Sequence, residues 1–146
     1  MFPKEFKAYL KEIELATPLI DRVEKIYLEC TQLGLGVDKN IFVAETIDGE
    51  GKRTYQNLWF FGDEDAIEIK NFIGQDDYDQ VKIKKQVVYW ALRKKEFEIG
   101  KPATEKSRAS VSFNLKESVS GDFRASKANC EKLVEILTTY FIPNLA

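Results

Sequence analysis

Histidine is absent from this sequence. That absence removes Ser-His-Asp and Cys-His catalysis, histidine acid–base chemistry and most zinc sites. Any remaining catalysis would need carboxylates, lysine or tyrosine, with Mg²⁺ as the natural helper. Cysteine is scarce: only Cys30 and Cys130 occur, each inside an apolar periodic segment. They read as small core residues, not as a disulfide framework or metal knuckle. No apolar run is long enough to cross a bilayer. The opening residues, MFPKEFKAYLKEIE, lack the apolar stretch of a secretory signal, so a cytoplasmic location is expected. An excess of positive charge is missing too. The formal net charge is −2 and the pI about 5.4. Nucleic acid is therefore not an expected partner.

What is present suits a folded domain. The chain has 146 residues, 44% hydrophobic and 32% charged, with ten Phe, six Tyr and two Trp. A chain of this length buries roughly 68–70% of its unfolded surface, so it needs neither disulfide nor metal for stability. No cofactor or metal is expected.

Residues 3–15 set Phe6, Tyr9, Leu10 and Ile13 on one helical face. Thr17-Pro18 reads as an N-cap and first helical residue. The following helix, roughly 18–33, carries Leu19, Ile20, Val23, Ile26, Tyr27, Cys30 and Leu33, and Leu33-Gly34-Leu35-Gly36 ends it with a glycine C-cap. Residues 1–36 thus form a helical segment, and residues 37–146 a β-rich one ending in a helix. Strands are expected over 40–47, 53–61 and 66–72, with turns at DGEGK (48–52) and GDED (62–65). Residues 81–92 fit a strand or a helix; β-branched and aromatic residues favour strand. Phe97-Glu98-Ile99 is a candidate extension. Residues 108–115 alternate most cleanly, Ala109, Val111, Phe113 and Leu115 against Arg108, Ser110, Ser112 and Asn114. KESVSGD then reads as a turn, residues 123–125 as a returning strand, and Ser126 as the cap of a final helix. Cys130, Leu133, Val134, Ile136, Leu137, Tyr140 and Phe141 make that helix's stripe, and Pro143 stops it. Strands in series, without alternating helices, argue an α+β class.

Three stretches carry a resemblance. NLWFFGDEDAIEIKNF, YDQVKIKKQVVYW and SRASVSFNLKESVSGDFRASKANCEKLVEIL, spread over residues 40–141, resemble the pleckstrin-homology-like superfold, especially bacterial PH and GRAM-type domains. The resemblance implies an antiparallel β-barrel or bent sheet of about six or seven strands closed by the C-terminal helix. It also implies a non-enzymatic interaction or scaffold module with a protein or peptide partner. Lipid-binding members hold phosphoinositide headgroups between early loops, which would make Lys52, Arg53, Lys82 and Lys84 an anion patch here. The acidic loop GQDDYDQ beside them would cancel part of that charge.

The hairpin at residues 57–70 also resembles the core hairpin of restriction-endonuclease-like nucleases. Glu68 and Lys70 share one strand face, opposite Ile67 and Ile69. A carboxylate there could bind Mg²⁺ and the lysine stabilise charge. The family's aspartate position is Asn57 in this chain, so Asp48 or Asp63 would have to stand in. The same pair also fits the solvent face of an ordinary hairpin. A nuclease would place a helix at 81–92. The aromatics Tyr55, Trp59, Phe60, Phe61, Tyr78, Tyr89 and Trp90 read as core, with one of the two tryptophans a candidate for a partner surface. A second copy of the chain could pair through the N-terminal helices or a sheet edge.

Overall fold

The computed structural model describes residues 1–144 apart from 37, 48–52, 64, 71, 74–78, 85–86 and 116–118. Two helices, α1 (Lys4–Glu12) and α2 (Thr17–Gln32), precede seven strands. These are β1 (Asn40–Ile47), β2 (Arg53–Phe61), β3 (Asp65–Lys70), β4 (Asp79–Lys84), β5 (Val87–Lys95), β6 (Arg108–Leu115) and β7 (Val119–Ser126). Helix α3 (Asn129–Ile136) follows, continued by a π-helical turn (Leu137–Phe141) and a 3-10 turn (Ile142–Asn144) that contains Pro143.

The strands form an antiparallel meander split into two sheets, sheet A in the order β1-β2-β3-β4 and sheet B in the order β5-β6-β7. The architecture is α+β with two bent sheets in place of a closed barrel.

Sheet A is apolar on both faces, and that explains its position. Ile41, Val43, Leu58, Phe60, Ile67 and Ile69 meet Phe6, Leu10, Ile13, Val23, Ile26 and Cys30 of the two N-terminal helices. Phe42, Ala44, Trp59, Phe61 and Ala66 face the other way, onto Val111, Phe113, Phe123 and the stripe of α3. Each Phe or Ile buried to this degree contributes on the order of 1.5–3 kcal/mol. The helical stripe is thus used within its own chain.

Several local expectations need correction. Helix α2 begins at Thr17 itself, with Ala16 at the cap position and no side-chain cap. The Ala16 carbonyl accepts from Leu19 and Ile20 at 2.9 and 3.0 Å, and Pro18 supplies the helical φ. At the other end Gly34 (φ +77°) does close the helix, with Gly34 N–H bonded to Thr31 and Leu35 N–H to Cys30. Within 81–92, residues 81–84 and 87–92 are strand, in the two strands β4 and β5, and residues 85–86 lie outside the described residues. Residues 97–99 lie outside any strand, and Phe97 instead fills the inter-sheet core. Gly121 is strand, not turn, because it lies under the Phe113 ring, which leaves no room for a Cβ. Ser126 does not cap α3; its hydroxyl donates to Glu45, and Ala128 holds the cap position.

The two sheets meet at β1 and β7 without a ladder, and side chains close the join. Val43, on the open side of β1, donates its N–H to the Tyr9 hydroxyl at 2.9 Å and accepts from Asn129 Nδ2 at 2.9 Å. Tyr9 in turn donates to Asn129 Oδ1 at 2.6 Å. Glu45 bridges to sheet B, accepting from Ser126 N–H at 3.1 Å, Ser126 Oγ at 2.5 Å and Asn129 Nδ2 at 2.7 Å. An edge strand's unpaired groups need such partners when buried.

Candidate functional site

Ile67 and Ile69 are buried against the helices, while Glu68 and Lys70 lie on the opposite face. Lys70 Nζ stands 4.0 Å from Glu68 Oε1, and Asn57 Nδ2 donates to Glu68 Oε2 at 2.8 Å. Burial pushes the Glu68 carboxyl above its usual range; Lys70 and Asn57 offset this only in part. The fold therefore brings Asn57, Glu68 and Lys70 together. The cluster holds one carboxylate and one neutral amide, and the amide's N–H occupies the carboxylate where a cation would bind.

The stand-in acids do not join it. Asp63 sits exposed in the β2–β3 turn, where Gly62 N–H bonds the Asp65 carbonyl at 2.8 Å. Asp63 precedes β3, whereas Glu68 lies within that strand, opposite Trp59. Asp48 lies outside the described residues. The helix a nuclease would place at 81–92 is replaced by β4 and β5.

Of the expected anion patch, Lys52 and the side chains of Arg53, Lys82 and Lys84 lie outside the described residues. Arg53 begins β2 opposite Ile47, and Lys82 and Lys84 of β4 are register partners of Ile67 and Asp65.

A different cationic surface stands on the outer face of sheet B. Along β5 the side chains of Trp90 and Leu92 pack inward, so Tyr89, Ala91, Arg93 and Lys95 face out. Strand β6 presents Arg108, Ser110 and Ser112, and β7 presents Asp122 and Arg124. The register aligns them in rows: Arg93, Ser110 and Arg124 in one, Lys95 and Arg108 in the next, Ala91, Ser112 and Asp122 on the other side. These residues line an open hollow of about 770 Å³. Its floor is small residues, Ala91, Ser110 and Ser112, and its walls are long cations.

Among the described residues Asp122 is the one acid lining it, and it pairs with Arg124 at 2.9 Å. Arg108 Nη1 donates to the carbonyls of Ser107 and Glu105 at 2.8 and 3.1 Å, which orients the guanidinium without neutralising it. Arg93 and Lys95 make no ion pair among the described residues. Tyr89 is 51% exposed at one end of the hollow.

Trp59 is buried, Trp90 is partly buried against the same core, and Tyr89 is the exposed aromatic of β5. The polar side of residues 108–115 is the sequence signal for this face. It marks a strand wet on one side, with Arg108, Ser110 and Ser112 on that side. Arg124 and the register that joins it to Arg93 have no local signal. The chain matches no family model, no curated protein and no solved structure.

Proposed function

We propose that this chain is a non-enzymatic interaction module whose protein partner lies across the outer face of sheet B. One observation carries the reading: β1, β2 and β3 of sheet A are packed on both faces, whereas the outer face of sheet B is a hollow where Arg93, Lys95 and Arg108 have no ion pair among the described residues. The four-strand and three-strand split, closed by a C-terminal helix, supports a PH-like kinship for the module. The buried, amide-bonded Glu68 gives little support to hydrolysis.

Site-specific photo-crosslinking tests the reading. A photoreactive residue at Ser112 should give a discrete protein adduct in cells, and the same residue at the exposed Thr139 should not. Equal labelling from both positions, or none from Ser112, would refute it.

A further inference from the structure

We infer that the segment seated on sheet B is an acidic peptide, in extended form, with carboxylates spaced two residues apart. This rests on the reading of that face as a docking surface and adds the chemistry of the occupant.

The charge distribution is the first argument. The chain carries 24 acidic and 22 basic residues, yet this face, among the described residues, gathers Arg93, Lys95, Arg108 and Arg124 around one acid, Asp122. The hollow is locally positive on a molecule that is negative as a whole. Such a contrast selects anionic partners and steers their approach.

The second argument is spacing. Arg93 and Lys95 are two residues apart on one strand, so their side chains leave it about 7 Å apart. Alternate side chains of an extended peptide repeat at the same interval. Two acids at alternate positions would meet the Arg93 and Lys95 rows together. Arg93 and Arg108 can each hold a carboxylate by two parallel N–H bonds. The Ser110 hydroxyl lies between Arg93 and Arg124 in register and can donate to the same carboxylate.

The third argument separates a peptide from other polyanions. Single-stranded nucleic acid is held by successive aromatic platforms beside a basic track. Among the described residues this face has one exposed aromatic, Tyr89, and it lies at the end of the hollow away from Lys95. A membrane-binding surface needs apolar residues that protrude among its cations. Here the small residues lie at the floor of a hollow.

The test uses the full chain and a fluorescent ten-residue peptide with Glu at alternate positions. Its partners are the Gln version of that peptide, a single-stranded oligonucleotide of equal charge and phosphatidylserine vesicles. Saturable binding of the Glu peptide alone is expected. Arg93→Glu combined with Lys95→Glu should weaken it about tenfold or more. A rise from about 50 to about 500 mM salt should act in the same direction. Lys4→Glu with Lys7→Glu, on exposed α1 positions, should leave it within about twofold. The neutral pair Arg93→Gln with Lys95→Gln guards against misfolding, and circular dichroism must match the parent for each variant. Absence of peptide binding, or binding indifferent to the β5 changes, overturns the inference. Preference for the oligonucleotide or the vesicles does so too. If the peptide fails while Ser112 still crosslinks a protein, only the acidic chemistry falls. If both fail, the docking surface falls with it.

Discussion

At the scale of single residues, two carboxylates should answer acid in opposite directions. Glu68 is desolvated, and its folded carboxyl is pushed above the unfolded value. The folded state then holds its proton more tightly, so Glu68's contribution to stability falls as pH rises through that window. Glu68→Gln should flatten this slope in denaturant melts taken across the carboxyl range. Glu135 is desolvated as well, but Asn40 at 2.6 Å and Lys132 at 2.9 Å outweigh that and hold its carboxyl below the usual range. Its stabilisation is present above the unfolded value and is lost as pH falls through the folded one. Asn40→Ala should reduce that loss, Lys132 keeping the rest; an unchanged acid limb would show that the Asn40 bond does not contribute to it. Glu45 is a third case. Removing its carboxylate strands the Ser126 and Asn129 donors inside the protein, so Glu45→Ala should cost about 3 kcal/mol with an unchanged denaturant slope. Little of this could be read from the sequence. Only Lys132, three residues before Glu135 on α3, is a local partner; Asn57, Asn40 and Ser126 lie 11, 95 and 81 positions from their glutamates, and a strand glutamate such as Glu68 or Glu45 looks alike whether its face is wet or dry.

At the scale of elements, the sequence was most informative where periodicity and turn chemistry agree. The bounds of β1, β2 and β6 follow from apolar patterning between turn residues, and the end of α2 follows from Gly34. Helix α1 ends with the same geometry but without glycine. Glu14 takes φ +65° while its N–H bonds Lys11 and that of Leu15 bonds Leu10. A left-handed glutamate is strained, and its ion pair with Lys127 is exposed and long at 3.9 Å. Glu14→Gly should therefore stabilise the protein by about 0.5–1 kcal/mol, read as a rise in Tm. A fall would mean that the Lys127 pair outweighs the backbone strain. Misread elements share one cause. Local propensity makes Gly121 a turn, Ser126 a cap and Phe97 a strand residue, yet each is fixed by a distant neighbour: the Phe113 ring, the Glu45 carboxylate and the inter-sheet core. Gly121→Ala tests the first directly. Its Cβ would fall 2.4 Å from the Phe113 ring, so a loss of about 1–3 kcal/mol is expected.

At the scale of the whole molecule, sheet A is the shared wall of two cores, and this was partly written in the sequence. The runs IFVA and LWFF place apolar residues on both parities, the mark of a strand buried on both faces. Residues 108–115 alternate because sheet B is wet outside. The pattern thus distinguishes the two sheets, although it cannot give the register that assembles the cationic face. A shared wall has a mechanical consequence. Cys30 lies in the core beneath the N-terminal helices, and Cys130 in the core between the sheets. Burial pushes their thiols up to about 11 and about 12, and both are fully enclosed. Near pH 8 neither should react with an alkylating reagent until the fold opens. The helices could peel from sheet A by themselves, exposing Cys30 while Cys130 stayed protected. Against this, Tyr9 of α1 bonds both Val43 and Asn129, so lifting α1 breaks the join that also holds β7 and α3. Removing the N-terminal helices would also bare one whole apolar face of sheet A. The two cysteines should therefore label at a common rate in mild denaturant, resolved by mass spectrometry of each peptide. Tyr9→Phe, which deletes the hydroxyl and keeps the ring, should let Cys30 label ahead of Cys130. Early labelling of Cys30 in the parent chain would instead make the helical pair a separately opening unit.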